Sequence, residues 1–193
     1  MSVSLDGELV LVTGGGQGLG AATSHVLARA GATVAVTDVR AERADTVARE
    51  IGSNGGKAFA LRIDVGDERT APGSLAAAAE AHGSLFALIN NAGVDFTKPL
   101  DELTVEQWDT VLRTNLRGPF LLAQAAAAVM KRQKRGHILE VGLARPELRA
   151  ARGAAALRRA RLRLGRGRHA DAVPVGALSG SRSQQAPGPD ERG

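Results

Sequence analysis

The sequence contains neither tyrosine nor cysteine, and aromatic residues make up only 3% of its 193 residues. Without cysteine the chain can form no disulfide and no thiolate metal site, and this composition is compatible with a reducing compartment. Without tyrosine it offers no phenol as a general acid or base. No apolar run reaches the roughly 18 residues that span a bilayer, and no signal peptide is evident. These absences predict a cytoplasmic protein with no membrane association.

Charge is divided unevenly along the chain. The formal net charge of +5 arises from a value of −2 over residues 1–143 and +7 over residues 144–193. The second part contains 11 arginines and no lysine. The front of the protein is therefore mildly acidic, and the high isoelectric point comes from the tail.

Residue usage also changes near residue 140. The four phenylalanines and the single tryptophan lie at or before Phe120, and no isoleucine follows Ile138. Beyond that point Arg, Ala, Gly, Leu, Ser and Pro dominate. We therefore predict a folded domain over residues 1–142 and a basic, low-complexity tail over residues 143–193, helical in part or disordered. A basic helix over residues 146–164 is the candidate element.

Three interpretations of the tail stay open. Its composition is typical of GC-rich codons translated in a shifted reading frame, which sequencing of the locus would test. A natural basic tail that binds RNA or DNA is the second interpretation, and a disordered linker is the third. No aromatic residue is available there for base stacking, which argues against a nucleic-acid partner.

The hydrophobic pattern of the front domain alternates between strands and helices. Short apolar runs predict strands at residues 9–12, 33–37, 58–63, 85–89 and 138–141. Helical spacing predicts helices at residues 18–31, 43–52, 74–82 and 104–131, the last opened by a capping box of Thr104 and Gln107. Alternation of this kind predicts an α/β fold with a Rossmann-like, doubly wound parallel sheet of about five strands.

A glycine cluster lies between the first strand and the first helix. Gly14 lets the chain turn off the strand, Gly18 lets backbone amides approach a pyrophosphate, and Gly20 lets helix and strand pack closely. The free amides and the positive end of the helix dipole then hold the anion. This arrangement predicts nucleotide binding.

Asp38 closes the second strand, 18 residues after Gly20. An acid at this point reaches the adenosine ribose hydroxyls of NAD and repels the 2′-phosphate of NADP. Arg40 nearby could weaken this preference for NAD over NADP. We therefore expect NAD as the cofactor, with NADP less favoured.

Four motifs in order resemble the short-chain dehydrogenase/reductase family. They are Thr13-Gly14-Gly15-Gly16-Gln17-Gly18-Leu19-Gly20, Asp64-Val65, Asn90-Asn91-Ala92-Gly93 and Asn115 in Thr114-Asn115-Leu116. The resemblance covers residues 5 to about 141 and implies hydride transfer between a nicotinamide dinucleotide and a small alcohol or carbonyl substrate.

The resemblance also implies roles for individual residues. Asp38 would bind ribose, Asp64 and Val65 would hold adenine, and Asn91 would lie near the nicotinamide-side ribose. The residues expected to border the pyrophosphate are Gly14, Gln17, Gly18, Leu19 and Gly20.

Two further polar residues receive roles in the same way. Asn90 would brace adjacent strands. Asn115 would support a water in a proton relay, as the one catalytic residue that the sequence retains.

The residues that the family pattern requires after about residue 141 are not present in this sequence. A serine is expected near Leu143, and a tyrosine and lysine near Ala156 and Ala160, but none of these positions has the required chemistry. The last lysine is Lys134, and the four histidines show no metal spacing. We predict no measurable dehydrogenase turnover. The alternatives are an NAD-binding pseudoenzyme and a non-functional truncated product.

Assembly and solubility are also affected. The family implies assembly through two long helices, of which one is not recognisable here, and this leaves the oligomeric state open. An incomplete sheet would expose an unpaired edge and apolar surface, so we expect poor soluble expression.

Overall fold

The computed structural model describes residues 4–142 and the backbone of residues 159–160. In these residues strands and helices alternate as predicted, each within three residues of its expected start, and the α/β Rossmann-like fold class is confirmed. The strands are β1 Leu9–Thr13, β2 Thr33–Asp38, β3 Lys57–Arg62, β4 Ala87–Asn90, β5 His137–Glu140 and β6 Arg159–Ala160. The helices are α1 Gly18–Arg29, α2 Ala41–Ser53, α3 Ala71–Ala81, α4 Val105–Leu112 and α5 Gly118–Gln133, with a 3₁₀ turn at Leu100–Glu102 and a π-helical segment at Arg113–Arg117.

The sheet runs in the order β3-β2-β1-β4-β5-β6. Strands β1 to β5 are parallel, and β6 pairs antiparallel with β5. The direction of winding reverses between β1 and β4. In open parallel sheets, ligands bind in the crevice at the carboxyl ends of the strands at such a reversal.

Strand β1 contributes side chains to both faces of the sheet. In β1, Leu9 and Leu11 pack on one face with α3 and α5, whereas Val10 and Val12 pack on the other with α1 and α2. This is the near-continuous apolar pattern of a strand buried on both sides. Full burial of a leucine side chain stabilises the fold by about 1.5–3 kcal/mol, so the core holds the strand ends in fixed positions.

The helix predicted as continuous over residues 104–131 is interrupted. The capping box is present, with Gln107 N–H donating to Thr104 Oγ1 over 3.3 Å. The π-helical segment Arg113–Arg117 then separates α4 from α5. Pro119 provides the reason, because it has no N–H to donate to the Asn115 carbonyl as a regular α-helix requires.

The candidate helix over residues 146–164 lies almost wholly outside the described residues. Within that range Arg159–Ala160 forms the short strand β6, which pairs with Leu139 and Ile138 of β5 and adds to the about five parallel strands predicted. The edge of β5 is paired at these two residues.

Candidate functional site

The glycine loop connects Thr13, at the end of β1, to the start of α1 at Gly18. Gly14 has φ 61° and Gly18 has φ 54°, both in the left-handed region that residues other than glycine rarely adopt. Gly20 is needed for a different reason. A Cβ there would lie 2.1 Å from the Gly14 carbonyl oxygen and 2.5 Å from Asn91 Nδ2.

The start of α1 presents backbone amides. The first backbone bond of the helix runs from Ala21 N–H to the Gln17 carbonyl over 3.1 Å, so the preceding amides have no intrahelical acceptor. Gln17, the N-cap residue, makes no side-chain cap. Apart from the adjacent residues and the backbone of α1 itself, no described atom lies within 4 Å of the place where a Gly18 Cβ would be. This open, amide-lined cradle fits a pyrophosphate.

Asp38 lies at the end of β2, with only 5% of its surface exposed. Its Oδ2 accepts from Gly16 N–H over 3.3 Å, and its Oδ1 accepts from Arg40 N–H over 3.1 Å. A carboxylate has about four lone-pair sites, so two bonds fix its orientation and leave acceptor capacity for ribose hydroxyls.

Asn91 connects the end of β4 to the glycine loop. Its Nδ2 donates to the carbonyls of Thr13 and Gly14, over 2.9 and 3.2 Å. The Thr13 hydroxyl accepts from the N–H groups of Asn91 and Ala92, each over 3.0 Å, and donates to Ile89 O over 3.4 Å. These bonds hold the two sides of the crevice at a fixed spacing.

Asn90 is buried and braces β4 against its neighbours. Its Nδ2 donates to Glu140 Oε1 of β5 over 2.8 Å and to the Pro119 carbonyl over 3.2 Å. Among the described residues, its buried Oδ1 has no hydrogen-bond partner.

Glu140 is a site residue that the sequence reasoning missed. Its position at the carboxyl end of β5 was the available signal. Partial burial raises the pKa of Glu140, and the hydrogen bond from Asn90 acts in the opposite direction. A cavity of ≈ 190 Å³ adjoins it, lined by Asn90, Ala92, Gly93, Asn115, Pro119, Glu140, Val141 and Gly142.

Asn115 lies in the π-helical segment and contacts the loop after β4. Its Nδ2 donates to the Val94 carbonyl and its Oδ1 accepts from Val94 N–H, both over 2.8 Å. The side-chain amide thus makes one hydrogen bond at each end, and both go to Val94.

Asp64 and Val65 follow β3 at the same edge of the sheet. Asp64 Oδ1 accepts from Gly66 N–H over 2.9 Å, while the Val65 side chain is buried in the core. A Cβ at Gly118 would lie 2.6 Å from the Val65 carbonyl oxygen, so α5 begins directly against this loop. The structure thus places all predicted cofactor residues at one edge of the sheet.

Of the three positions expected for the remaining catalytic groups, only Ala160 belongs to the described residues. Leu143 and Ala156 lie outside the described residues, and Ala160 is part of β6. Lys134 follows α5 and precedes β5, with φ 58°. It therefore lies at the opposite edge of the parallel sheet and cannot take the place of the expected lysine.

The part of the chain that the structure describes has neither a metal-binding cluster nor a membrane-spanning helix. No group of three or more His, Asp or Glu residues gathers there to hold a metal ion. No helix there is both long enough and apolar enough to cross a bilayer.

The fold and the amide-lined cradle define a Rossmann-like domain of the kind that binds NAD(P). A sequence profile of the short chain dehydrogenase family matches residues 8–145. The chain belongs to this family.

Individual relatives agree with that assignment. The chain is 36% identical over 137 residues to D-threitol dehydrogenase of Mycolicibacterium smegmatis, covering 71% of this chain and 53% of that protein. It is 37% identical over 134 residues to cyclopentanol dehydrogenase of a Comamonas species, covering 69% and 54%. The chain thus spans about half the length of the curated relatives it matches.

Solved structures have the same fold. A metagenomic short-chain oxidoreductase in complex with NADP superposes with a TM-score of 0.63 at 38% identity. The match covers 72% of this chain and 62% of that one.

Proposed function

We propose that this chain binds NAD at the carboxyl edge of its sheet but does not carry out dehydrogenation by itself. The observation that carries the proposal is the position of Asp38. Its carboxylate is fixed beside the glycine loop by two backbone amides, where it can accept from both hydroxyls of an adenosine ribose. A 2′-phosphate would meet its negative charge, which supports NAD over NADP. The related structure that holds NADP makes the choice of cofactor a matter for measurement.

The other residues at this edge would complete the binding site. The amides at the start of α1 would hold the pyrophosphate, with Gly14, Gln17, Gly18, Leu19 and Gly20 at its border. Asp64 and Val65 would hold adenine, and Asn91 would lie near the nicotinamide-side ribose. When bound, the cofactor supplies the hydride acceptor or donor, and an alcohol or carbonyl compound is the substrate class that the relatives support.

The chain's own residues provide no proton donor of the expected kind. General acid–base catalysis is worth a factor of about 10² to 10⁴, and the sequence has neither a tyrosine nor a lysine after Lys134. Asn115 can contribute its backbone carbonyl, which Pro119 leaves without the usual helical donor, but a carbonyl only accepts. We therefore expect binding without measurable turnover.

Isothermal titration of NAD into the full chain tests the binding. The variant D38N should weaken NAD binding about tenfold, because two charge-assisted bonds become neutral ones. D45N, which changes an exposed acid on α2, is the matched control and should bind as the original chain does. Absence of NAD binding, or equal affinity for D38N, would refute the proposal.

A coupled assay tests the predicted inactivity. NADH formation is followed with a panel of polyols and cyclic alcohols at high protein concentration. Turnover that is lost in N115A would overturn the expectation of inactivity while leaving the binding proposal intact.

We also propose that the cofactor domain ends at Gly142. The last parallel strand ends at Glu140, and the family match ends at residue 145. A chain ending after Gly142 should then bind NAD with the affinity of the full chain. A large loss of affinity would place residues 143–193 within the functional unit.

A further inference from the structure

The start of α5 packs directly against the loop of residues 64–68, hereafter the adenine loop, where the proposed site would hold the base. Gly118, the first residue of α5, has helical backbone angles, φ −57° and ψ −55°, which any residue other than proline adopts readily. A Cβ on Gly118 would nevertheless lie 2.6 Å from the Val65 carbonyl oxygen and 3.0 Å from the Val65 carbonyl carbon. Glycine is therefore needed at this position for space alone.

One peptide group connects Gly118 to Asp64. The Val65 carbonyl that Gly118 contacts and the N–H of Gly66 belong to the same planar peptide unit. That N–H donates to Asp64 Oδ1 over 2.9 Å and thereby orients the carboxylate. The other carboxylate oxygen can accept from the exocyclic amino group of adenine. A shift of the Val65 carbonyl would therefore turn the Asp64 carboxylate away from the base.

A larger residue in place of Gly118 would move the adenine loop rather than the helix. The π-helical segment before Gly118 is anchored by Asn115, which makes two hydrogen bonds of 2.8 Å with Val94. Further along α5, Leu122 and Ala126 are fully buried in the core. Because the start of α5 is held from both directions along the chain, the added methyl group would displace the peptide opposite it.

An ion pair holds the outer end of the adenine loop. Arg117 Nη1 lies 3.4 Å from Glu68 Oε2, and more than half of each side chain is exposed. Exposed ion pairs contribute little to stability, but this one joins the π-helical segment to the adenine loop. It therefore limits how far the loop can move away from α5.

We propose that Gly118 is a positioning residue for the base: because it has no side chain, the peptide group between Val65 and Gly66 lies where it orients Asp64 toward an adenine amino group. The inference rests on the proposed binding function and deepens it, since it assigns the origin of selectivity for the base. Hypoxanthine has an oxygen in place of that amino group, so it would face the carboxylate with a second acceptor. The site therefore prefers adenine to hypoxanthine.

Titration of NAD and of nicotinamide hypoxanthine dinucleotide into the full chain tests the inference. The original chain should bind NAD about tenfold or more tightly than the hypoxanthine analogue, because the analogue offers the carboxylate no amino group. G118A should weaken NAD binding about tenfold and change the affinity for the analogue less than about threefold, so the ratio of the two affinities approaches one. A role in stability alone would lower both affinities equally.

G52A is the matched control. Gly52 lies in the last turn of α2. Apart from the adjacent residues and the backbone of α2 itself, no described atom lies within 4 Å of the place where its Cβ would be. The same exchange of glycine for alanine should leave both affinities, and hence their ratio, unchanged at this position.

If G118A does not fold, R117Q provides the test. This variant removes the ion pair with Glu68 from an exposed surface, so it should fold as the original chain does. Because it releases the outer end of the adenine loop, it should lower the ratio of the two affinities about twofold at low salt, where the ion pair is least screened. An unchanged ratio in R117Q would then overturn the inference.

Failure of the inference is distinguishable from failure of the proposed function. If the original chain binds NAD and the analogue equally well, the inference is wrong and NAD binding stands. The same holds if G118A folds and leaves the ratio of the two affinities unchanged. If the original chain binds neither dinucleotide, the proposed function fails and the inference fails with it.

Discussion

Asn115 and Val94 are joined by two hydrogen bonds of 2.8 Å, one in each direction between a side-chain amide and a backbone peptide group. The π-helical segment and the loop after β4 are therefore held together by one residue. The small cavity that ends at Glu140 has one wall in each of these two segments.

Replacing Asn115 by alanine should lower the free energy of unfolding by about 1–3 kcal/mol, because both polar groups of Val94 lose their partner in a partly buried place. Urea unfolding measures this loss. N54A is the control, since the exposed side chain of Asn54 donates to the Glu50 carbonyl, on its own helix. An equal loss in both variants would mean that the contact with Val94 stabilises the fold no more than an exposed side-chain hydrogen bond does.

Replacing Gly20 by alanine should abolish NAD binding and destabilise the fold by more than about 1–3 kcal/mol, the usual cost of overpacking. The new methyl group would meet backbone at 2.1 Å, which no rotamer change relieves. G73A in α3 is the matched control. Apart from the adjacent residues and the backbone of α3 itself, no described atom lies within 4 Å of that position, so this variant should be neutral or more stable by about 0.4–1 kcal/mol. Thermal unfolding and NAD titration measure both effects.

Glu140 should make stability depend on pH. Its pKa is raised in the folded protein by burial, so the folded state keeps the proton at a pH where the unfolded chain has released it. The free energy of unfolding should therefore fall as pH rises from about 4.5, the unperturbed value, through the folded pKa.

Urea unfolding across this pH range measures the effect. E140Q cannot titrate and should remove this part of the pH dependence, whereas E80Q, on the exposed side of α3, should retain it. A rise in stability over the same range that is lost in E140Q would contradict the predicted sign.

Phe120 should affect solubility more than stability. It is 62% exposed on α5, next to Leu116 of the π-helical segment at 67%. F120K should raise the soluble fraction and leave the melting temperature nearly unchanged, because exposed substitutions rarely exceed about 0.5 kcal/mol. L122K, two residues away and fully buried, should prevent folding. A large fall in the melting temperature of F120K would mean that this face is covered in solution.

Much of the fold follows from local pattern. Apolar runs such as residues 9–12 and 33–37 define strands because both sides of each strand are buried, and the glycine positions follow from the turn after β1. The carboxyl edge of the sheet could be predicted as the binding site for the same reason, since parallel strands bring Asp38, Asp64 and Asn91 to one edge.

What the sequence did not reveal depends on distant contacts. The Arg43–Gln17 bond and the Asn90–Glu140 bond join residues that are 26 and 50 positions apart, and neither has a local signature. The π-helical segment had a signal in Pro119, but helical periodicity alone continues through it. Strand β6 could not be anticipated because its two residues have no strand-like pattern around them.

One oxygen atom, the hydroxyl of Thr13, accepts two amides from the chain after β4 and donates to a carbonyl of β4 itself. Valine has the same shape as threonine but no hydroxyl oxygen, so the N–H groups of Asn91 and Ala92 would lose their acceptor. Serine keeps the hydroxyl and could replace threonine here. The conformation of the glycine loop therefore depends on the chain that follows β4. If the loop were grafted into another protein without Asn91 and Ala92 opposite it, the Thr13 hydroxyl would lose the two N–H donors that fix its distance from the chain after β4.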